Sequence, residues 1–355
     1  MEYEMVCRSC GKKYPSSYNK QVCESCGSIL EVVYLAAPKS SDFKGDGFWS
    51  YANLLPDSKY RNFEVGSTRL IQSHESSSLY LKLETDNPTN SFKDRGSVIE
   101  VSKALEYGYD EIVCASTGNM AFSITYYANI LGIKARIYIS NNASVDKIND
   151  IKAIGDAKII KVNGDFNKAQ GEAAAYAKKA GAFLAGDYCY RKEGQKTIAY
   201  ELLKHSKFDA IFVPIGNATL ISGIFKALKE MKNSGFIDYM PKIIGVQASG
   251  CDPVVKALSK NTSIKYIVPR TKADAIAVGF PTFGDQGVEA IKSTKGFAYS
   301  IKDSELEKAQ HSFIKEYGLV AELGGIAAYA AALASISEGK MKGKRIAAIV
   351  SGSNV

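Results

Sequence analysis

From about residue 90 onward, the chain alternates short runs of β-branched residues with longer segments of helical periodicity. Strands are predicted at residues 111–115, 135–140, 158–163, 209–215, 242–247 and 345–350. Helices are predicted at residues 96–108, 121–131, 145–154, 167–180, 193–205, 220–232, 304–317 and 325–336. This alternation is typical of parallel sheets covered by helices on both faces, and 355 residues are enough for about two domains. The sequence therefore predicts an α/β fold with two sheets.

Three segments of small polar residues directly follow predicted strands. They are Ser-Thr-Gly-Asn at 116–119, Gly-Asn-Ala-Thr at 216–219 and Ser-Gly-Ser-Asn at 351–354. A fourth candidate, residues 90–96, leads into the first predicted helix. In open α/β sheets, ligands bind where loops leave the carboxyl ends of the strands. We therefore expect the four segments to form one site.

Lys93 precedes that first helix and lies between Ser91 and Asp94, which are both common N-cap residues. The positive end of a helix dipole and partial burial would each disfavour the ammonium form of this lysine. A neutral amine in this position is suited to attack an aldehyde. Taken alone, the same pattern also describes an ordinary solvated lysine after a helix cap.

The segments 216–220 and 116–119 each join a predicted strand to a predicted helix. In the first, small residues would let successive NH groups converge on a phosphate, and the Thr219 hydroxyl is a further donor. In the second, hydroxyl and NH groups offer donors to a carboxylate, and the Asn119 amide offers one to a phenolate. Each segment alone also fits a strand end or a helix cap.

Four of the seven cysteines form two pairs with Cys-x-x-Cys spacing, Cys7 with Cys10 and Cys23 with Cys26. A glycine follows each pair, and this spacing lets one metal ion bind both sulfurs while backbone NH groups donate to them. The two pairs predict a structural Zn²⁺ site with four sulfur ligands. The alternatives are a vestigial knuckle without metal, disulfides formed on oxidation, and redox-active thiols.

The 45 basic and 37 acidic residues give a net charge of +8 that is spread over many lysines. Without a basic stripe, this balance does not favour a nucleic-acid partner. The first residues lack the basic and apolar regions of a secretory signal, and no apolar run reaches the roughly 18–20 residues that span a bilayer. We therefore expect a cytoplasmic protein with no nucleic-acid or membrane partner.

Taken together, these segments resemble the motifs of the fold-type II pyridoxal-phosphate enzymes, especially the threonine synthases. The matching stretches are Asn-Pro-Thr-Asn-Ser-Phe-Lys-Asp-Arg-Gly at 87–96, Ala-Ser-Thr-Gly-Asn at 115–119, Tyr-Arg-Lys-Glu-Gly-Gln-Lys-Thr at 190–197, Pro-Ile-Gly-Asn-Ala at 214–218, Ala-Glu-Leu-Gly-Gly at 321–325 and Ser-Gly at 351–352. They follow the order of that family, and the cysteine pairs have counterparts among its archaeal and bacterial members.

The resemblance implies an α/β fold with two open, twisted, mostly parallel sheets flanked by helices, together with a small zinc-ribbon-like knuckle at the amino terminus. It also implies three domains. These are a four-cysteine module at residues 1–36, a large cofactor-binding domain at 37–95 and 186–355, and a small substrate-clamping domain at 96–185.

Individual roles also follow from the resemblance. Lys93 would bond pyridoxal 5'-phosphate and move protons during the reaction. The implied cofactor-binding residues are Phe92, Asn119 at the ring 3-oxygen, Gly216, Asn217, Ala218, Thr219 and Leu220 around the phosphate, and Ser351 at the pyridine nitrogen. The implied substrate-binding residues are Ser116, Thr117 and Gly118 at the carboxylate and Arg191 at a substrate phosphate.

The implied reaction converts O-phosphohomoserine and water to threonine and phosphate, in a homodimer. Three departures from the family pattern concern the substrate. Tyr188-Cys189 replaces Asn-Pro, Thr219-Leu220 replaces Gly-Asn, and Ala277 replaces an arginine. The alternatives are threonine or serine dehydration and β-replacement on O-phosphoserine, as in cysteate or cysteine synthases. A further alternative is a zinc-ribbon binding protein on an inactive scaffold, against which the intact Lys93 argues.

Overall fold

A computed structural model describes residues 1–56, 61, 63–116, 118–141, 145–164 and 166–353. The chain divides into two compact units. Unit 1 comprises Met1–Ala37, Trp49–Val65 and Lys93–Gly194, and unit 2 comprises Pro38–Phe48, Gly66–Phe92 and Gln195–Val355. The three domains predicted from the resemblance stay a prediction.

The strands are short, as expected from the short apolar runs. They are β1 (Tyr3–Cys7), β2 (Lys13–Pro15), β3 (Leu30–Tyr34), β4 (Leu70–Gln72), β5 (Leu79–Leu83), β6 (Glu111–Ala115), β7 (Lys134–Ser140), β8 (Ala157–Val162), β9 (Phe183–Ala185), β10 (Ala210–Pro214), β11 (Lys242–Ala248), β12 (Ala298–Ile301) and β13 (Ile346–Val350).

The helices occupy most of the segments between the strands. They are α1 (Lys93–Glu106), α2 (Asn119–Leu131), α3 (Val145–Ile154), α4 (Phe166–Ala180), α5 (Cys189–Gln195), α6 (Thr197–His205), α7 (Thr219–Asn233), α8 (Pro253–Lys260), α9 (Gly284–Ser293), α10 (Asp303–Tyr317) and α11 (Leu323–Ser337). No helix in the described part of the chain has the length and apolar content that crossing a bilayer requires.

The described strands of unit 1 form two sheets. The first three strands form an antiparallel sheet in the order β2-β1-β3. The second sheet has the order β8-β7-β6-β9, and all of its neighbouring strands are parallel. Small side chains of α4, among them Ala169, Ala173 and Ala177, are buried in one cluster with Val113 and Tyr138 of this sheet. The alanines leave room for the helix to pack closely against the strands.

Unit 2 is built on a six-stranded sheet with the order β12-β11-β10-β13-β5-β4. Its strands are parallel except for β4, which pairs with β5 in antiparallel orientation. Every residue of β10 and β13 is buried, as expected for central strands covered on both faces. Together with the parallel sheet of unit 1, this topology confirms the prediction of two mostly parallel sheets flanked by helices.

Candidate active site

Lys93 is the first residue of helix α1, whereas the sequence placed it just before that helix. Its side chain is 19% exposed, and Nζ lies 3.7 Å from Oδ1 of Asp187. Asp187 follows β9, at the carboxyl edge of the parallel sheet of unit 1. The amine therefore lies at the positive end of a helix dipole with one carboxylate nearby.

The pKa of Lys93 is lowered from its ordinary value. Burial of the side chain is the largest cause, and the positive charge of Arg191 lowers the pKa further. The carboxylate of Asp187 opposes the shift without cancelling it. Because a lowered pKa increases the share of neutral amine, this lysine is better suited than a solvated one to act as a nucleophile or as a base.

Arg191 lies on α5 and is fully buried. Its Nε donates to the Gly186 carbonyl at 3.0 Å, and its terminal nitrogens donate to the Lys93 carbonyl at 3.3 Å and to Ser97 Oγ at 3.2 Å. The guanidinium also forms an ion pair with Glu100. The same side chain thus contacts the backbone of Lys93 and one face of α1.

Glu100 is the anion of this pair, and it is fully buried. Burial raises the pKa of its carboxyl group, while Arg191 and the Gly186 NH, which donates to Oε1 at 3.0 Å, act in the opposite direction. The role of Arg191 at a substrate phosphate stays a prediction. In the structure, an internal carboxylate lies against its guanidinium.

The sequence interpretation did not single out Glu100 or Asp187, although each has a detectable signal. Lys93, Ser97 and Glu100 are spaced i, i+4 and i+7, so they follow one face of α1 as a polar stripe within an otherwise buried helix. Asp187 comes two residues after a parallel strand, where ligand-binding side chains collect.

The segment after β6 carries the predicted substrate-binding residues of unit 1. Ser116 is half-buried, and its Oγ accepts from the Gly118 NH at 3.3 Å. Asn119 is the first residue of α2 and is 7% exposed. Thr117 lies outside the described residues. Gly118 and Asn119 thus begin a helix at the same sheet edge as Asp187, since β6 and β9 are parallel neighbours.

In unit 2, the predicted phosphate loop joins β10 to the fifteen-residue helix α7. Ala218 caps the helix with the left-handed backbone angles φ 63° and ψ 11°, which cost about 1–2 kcal/mol for a residue other than glycine. A Cβ on Gly216 would lie 3.1 Å from the Ala275 carbonyl oxygen, so a side chain at this position would be tightly packed against that backbone. Such strained turns are typical of ligand-binding loops, and helix amino termini bind phosphate. The loop therefore fits the phosphate of pyridoxal phosphate.

Phe92 and Ser351, two further predicted cofactor residues, are neighbours in unit 2. The Phe92 NH donates to the Ser351 carbonyl at 3.0 Å, and Ser91 pairs with Gly352 in an isolated β-bridge. Ser351 directly follows β13 and is 4% exposed. Because β13 lies beside β10 in parallel orientation, Ser351 and the phosphate loop leave the same edge of this sheet.

The four amino-terminal cysteines lie together in unit 1, with all of their sulfur atoms within 4.8 Å of one another. The Cys7–Cys26, Cys10–Cys23 and Cys10–Cys26 sulfur distances are 3.4, 3.6 and 3.7 Å. Zn–S bonds of about 2.3 Å in a tetrahedral site place sulfurs about 3.8 Å apart. A hydrogen bond from the Tyr14 hydroxyl lowers the pKa of the Cys23 thiol to about 6. The closeness of the four sulfur atoms fits a zinc site.

Comparisons with known proteins show the family of this chain. The family model described as "Pyridoxal-phosphate dependent enzyme" matches residues 62–352. Threonine synthase of Methanocaldococcus jannaschii is 34% identical over 370 residues, which cover 98% of this chain and 91% of that protein. Threonine synthase of Methanosarcina acetivorans is 32% identical over 347 residues, which cover 92% of this chain and 85% of that protein. The predicted resemblance is therefore confirmed.

Solved structures share the fold. A structure of maize serine racemase has a TM-score of 0.74 at 23% identity, covering 90% of this chain and 94% of that chain. Threonine deaminase isoform 2 from Solanum lycopersicum has a TM-score of 0.73 at 24% identity, covering 92% of this chain and 95% of that chain. Because the family model matches most of the chain, the prediction of an enzyme is confirmed, and the chain belongs to the pyridoxal-phosphate dependent enzyme family.

Proposed function

We propose that this chain is a threonine synthase, which converts O-phosphohomoserine and water to threonine and phosphate. The observation that carries the proposal is a 34% identity to the Methanocaldococcus jannaschii enzyme that extends over 98% of this chain. A match of this extent covers the whole architecture and not one shared domain. The homodimer and the cytoplasmic location stay predictions.

Lys93 is the residue that bonds the cofactor and then moves protons. Pyridoxal phosphate supplies an electron sink for a carbanion formed on the substrate. The Lys93 amine removes the α-proton and, once it has released that proton, removes a β-proton as phosphate leaves the γ-carbon. A lowered pKa keeps a larger share of the amine free to act as this base. The contact between Arg191 and the Lys93 carbonyl holds the backbone that carries this amine.

The remaining roles divide between backbone donors and hydroxyl groups. NH groups of Gly216 through Leu220 hold the cofactor phosphate, since the first NH groups of an α-helix lack intrahelical acceptors. Ser351 offers its hydroxyl to the pyridine nitrogen, and Asn119 offers its amide to the ring 3-oxygen. Ser116, Thr117 and Gly118 bind the substrate carboxylate.

A second candidate function is dehydration of threonine or serine, and the Arg191–Glu100 pair favours it. A guanidinium that is fully buried against an internal carboxylate has fewer donors for a substrate phosphate. A dehydratase expels hydroxide from an uncharged side chain and needs no such donor. The alanine at position 277, where the family carries an arginine, points the same way.

The two functions differ in products, so one assay separates them. We expect the purified protein to release threonine and phosphate from O-phosphohomoserine and to leave threonine, serine and O-phosphoserine unchanged. Formation of 2-oxobutyrate from threonine, with no threonine from O-phosphohomoserine, would establish the dehydratase instead. Each substrate is offered separately with excess cofactor, and a preparation treated with borohydride before the assay serves as the inactive control.

We also propose that Cys7, Cys10, Cys23 and Cys26 bind one structural Zn²⁺. The sulfur geometry supports this, and the reducing cytoplasm expected for the chain would keep the thiols available. Elemental analysis of protein purified under reducing conditions should give about one zinc per chain, and a Cys10→Ser variant should give markedly less. Zinc-free protein with four titratable thiols, obtained from zinc-supplemented cells, would contradict the proposal. Cys251→Ser is the matched control.

A further inference from the structure

The first 37 residues form part of unit 1, and we call Met1–Ala37 the amino-terminal module. Two side chains of β3, Glu31 and Tyr34, reach helix α5. Glu31 forms an ion pair with Lys192, whose side chain is almost fully buried. The Tyr34 hydroxyl lies 2.8 Å from Glu193 Oε2 and 2.7 Å from the Leu54 carbonyl. The module therefore contacts two consecutive residues of α5.

The residue before these two on α5 is Arg191, whose guanidinium contacts the Lys93 carbonyl, Ser97 and Glu100. Helix α5 is only seven residues long. So short a helix is not stable on its own, and its position is set by what packs against it. The amino-terminal module and the first turns of α1 thus act on the same short helix.

The contact between α5 and α1 is direct. A Cβ on Gly194 would lie 1.8 Å from the Arg95 carbonyl oxygen, and a Cβ on Gly96 would lie 2.5 Å from Arg191 Cγ. The backbone of α5 therefore lies against that of α1 next to Lys93, with no room for an intervening side chain. In a close-packed interior, a shift of α5 must displace the start of α1.

A second contact joins the module to both helices. Lys103 of α1 is nearly fully buried, and its Nζ lies 5.6 Å from the ring centroids of Tyr3 and Tyr190 and 4.8 Å from that of Tyr107. Tyr3 belongs to β1 and Tyr190 to α5. Cation–π contacts of a desolvated lysine are stabilising, so this cluster holds β1, α1 and α5 together.

We propose that the amino-terminal module positions Lys93 through helix α5, and that Glu31 and Tyr34 are its positioning residues. This proposal rests on the role proposed above for Lys93. The module then does more than stabilise the fold: it sets how closely Arg191 is held to the Lys93 backbone. Glu31 also lies 3.6 Å from Arg8, so that pair needs its own control.

The test uses full-length, cofactor-loaded protein and the variants Glu31→Gln and Tyr34→Phe. Arg8→Gln removes a second ion pair of Glu31, and Glu4→Gln removes an ion pair with Lys13 inside the module. Both are matched controls. The first readout is amide hydrogen exchange of peptides covering residues 93–100 and 189–195. We expect at least about tenfold faster exchange in the two test variants and wild-type exchange in the controls.

The second readout is the pH midpoint of the visible cofactor band, which a purely structural role would leave in place. We expect a shift of about half a pH unit in Glu31→Gln, together with a roughly threefold to tenfold fall in kcat, and recovery in Glu31→Asp. Wild-type exchange and an unmoved midpoint in both test variants would overturn the proposal. If the wild-type protein has no visible cofactor band, the role proposed for Lys93 is wrong. In that case the hydrogen-exchange result still tests the further inference, because equal exchange rates in the test and control variants would contradict positioning of Lys93 by the module.

Discussion

Replacement of Lys93 by alanine is expected to lower turnover of O-phosphohomoserine by about three orders of magnitude or more. The amine is both the covalent attachment point and the proton carrier in the proposed function. Its Nζ is held near Asp187, and burial lowers its pKa, so no solvated lysine offers an equivalent group. The variant should also lose the visible absorbance of the bound cofactor.

Borohydride reduction followed by peptide mass mapping checks this assignment directly. Wild-type protein should carry the mass of the reduced cofactor on the peptide that contains Lys93, and Lys93→Ala should carry none. Lys134→Ala is the matched control, because Lys134 is 75% exposed and pairs only loosely with Asp110. An adduct on a different lysine, or full activity in Lys93→Ala, would contradict the proposed chemistry.

Elements with a strong local pattern were predicted closely. Strand β6 and helix α3 have the predicted bounds, since each combines a clear periodicity with clear ends. Strand β5 was missed because Lys82 lies in it. That lysine is buried and bonds to Glu201 and to the Thr68 carbonyl, partners that no local pattern shows. Buried parallel strands are predicted from continuous apolar runs, and a charged residue such as Lys82 interrupts that run.

The helix predicted at 193–205 is two helices, α5 and α6, separated at Lys196. The side-chain pattern is continuous across this position, so local propensity gave no reason for a break. Close packing of Gly194 against the Arg95 carbonyl holds α5 in place, and this contact joins residues about a hundred positions apart. Tertiary contacts of this kind override local propensity.

The sequence predicted where loops of small polar residues follow strands within each unit, but it did not predict the ion pair of Arg191. The loops after β6, β10 and β13 were found because their small polar residues follow strands, which is a local feature. The partner of Arg191 was not found, because Glu100 is 91 positions away in the chain. Which anion meets a cation in a core is decided by packing, and the sequence alone shows only that both are present.

The Arg191–Glu100 ion pair is expected to contribute strongly to the stability of the fold. Arg191→Met should lower the free energy of unfolding by about 3–5 kcal/mol, because it leaves a buried carboxylate without its cation. Glu100→Gln should also destabilise the protein, whereas the double variant should lose much less than the sum of the two. Urea denaturation of the four proteins measures this coupling. The exposed Lys134–Asp110 pair provides a control cycle, in which the coupling should stay below about 1 kcal/mol.

The pH dependence of the free energy of unfolding of Arg191→Met shows whether the Glu100 carboxylate causes the loss of stability. Burial already raises the pKa of Glu100, and loss of Arg191 removes the main opposing charge. Above the ordinary glutamate pKa of about 4.3, the folded state then holds a proton that the unfolded state releases, so stability falls as the pH rises through the raised pKa. The loss of stability should therefore be largest at high pH and shrink on acidification, and the double variant should show no such trend.

A coupling below about 1 kcal/mol would mean that the pair is not formed in solution. The guanidinium would then be available to a substrate phosphate, which removes the main argument for a dehydratase.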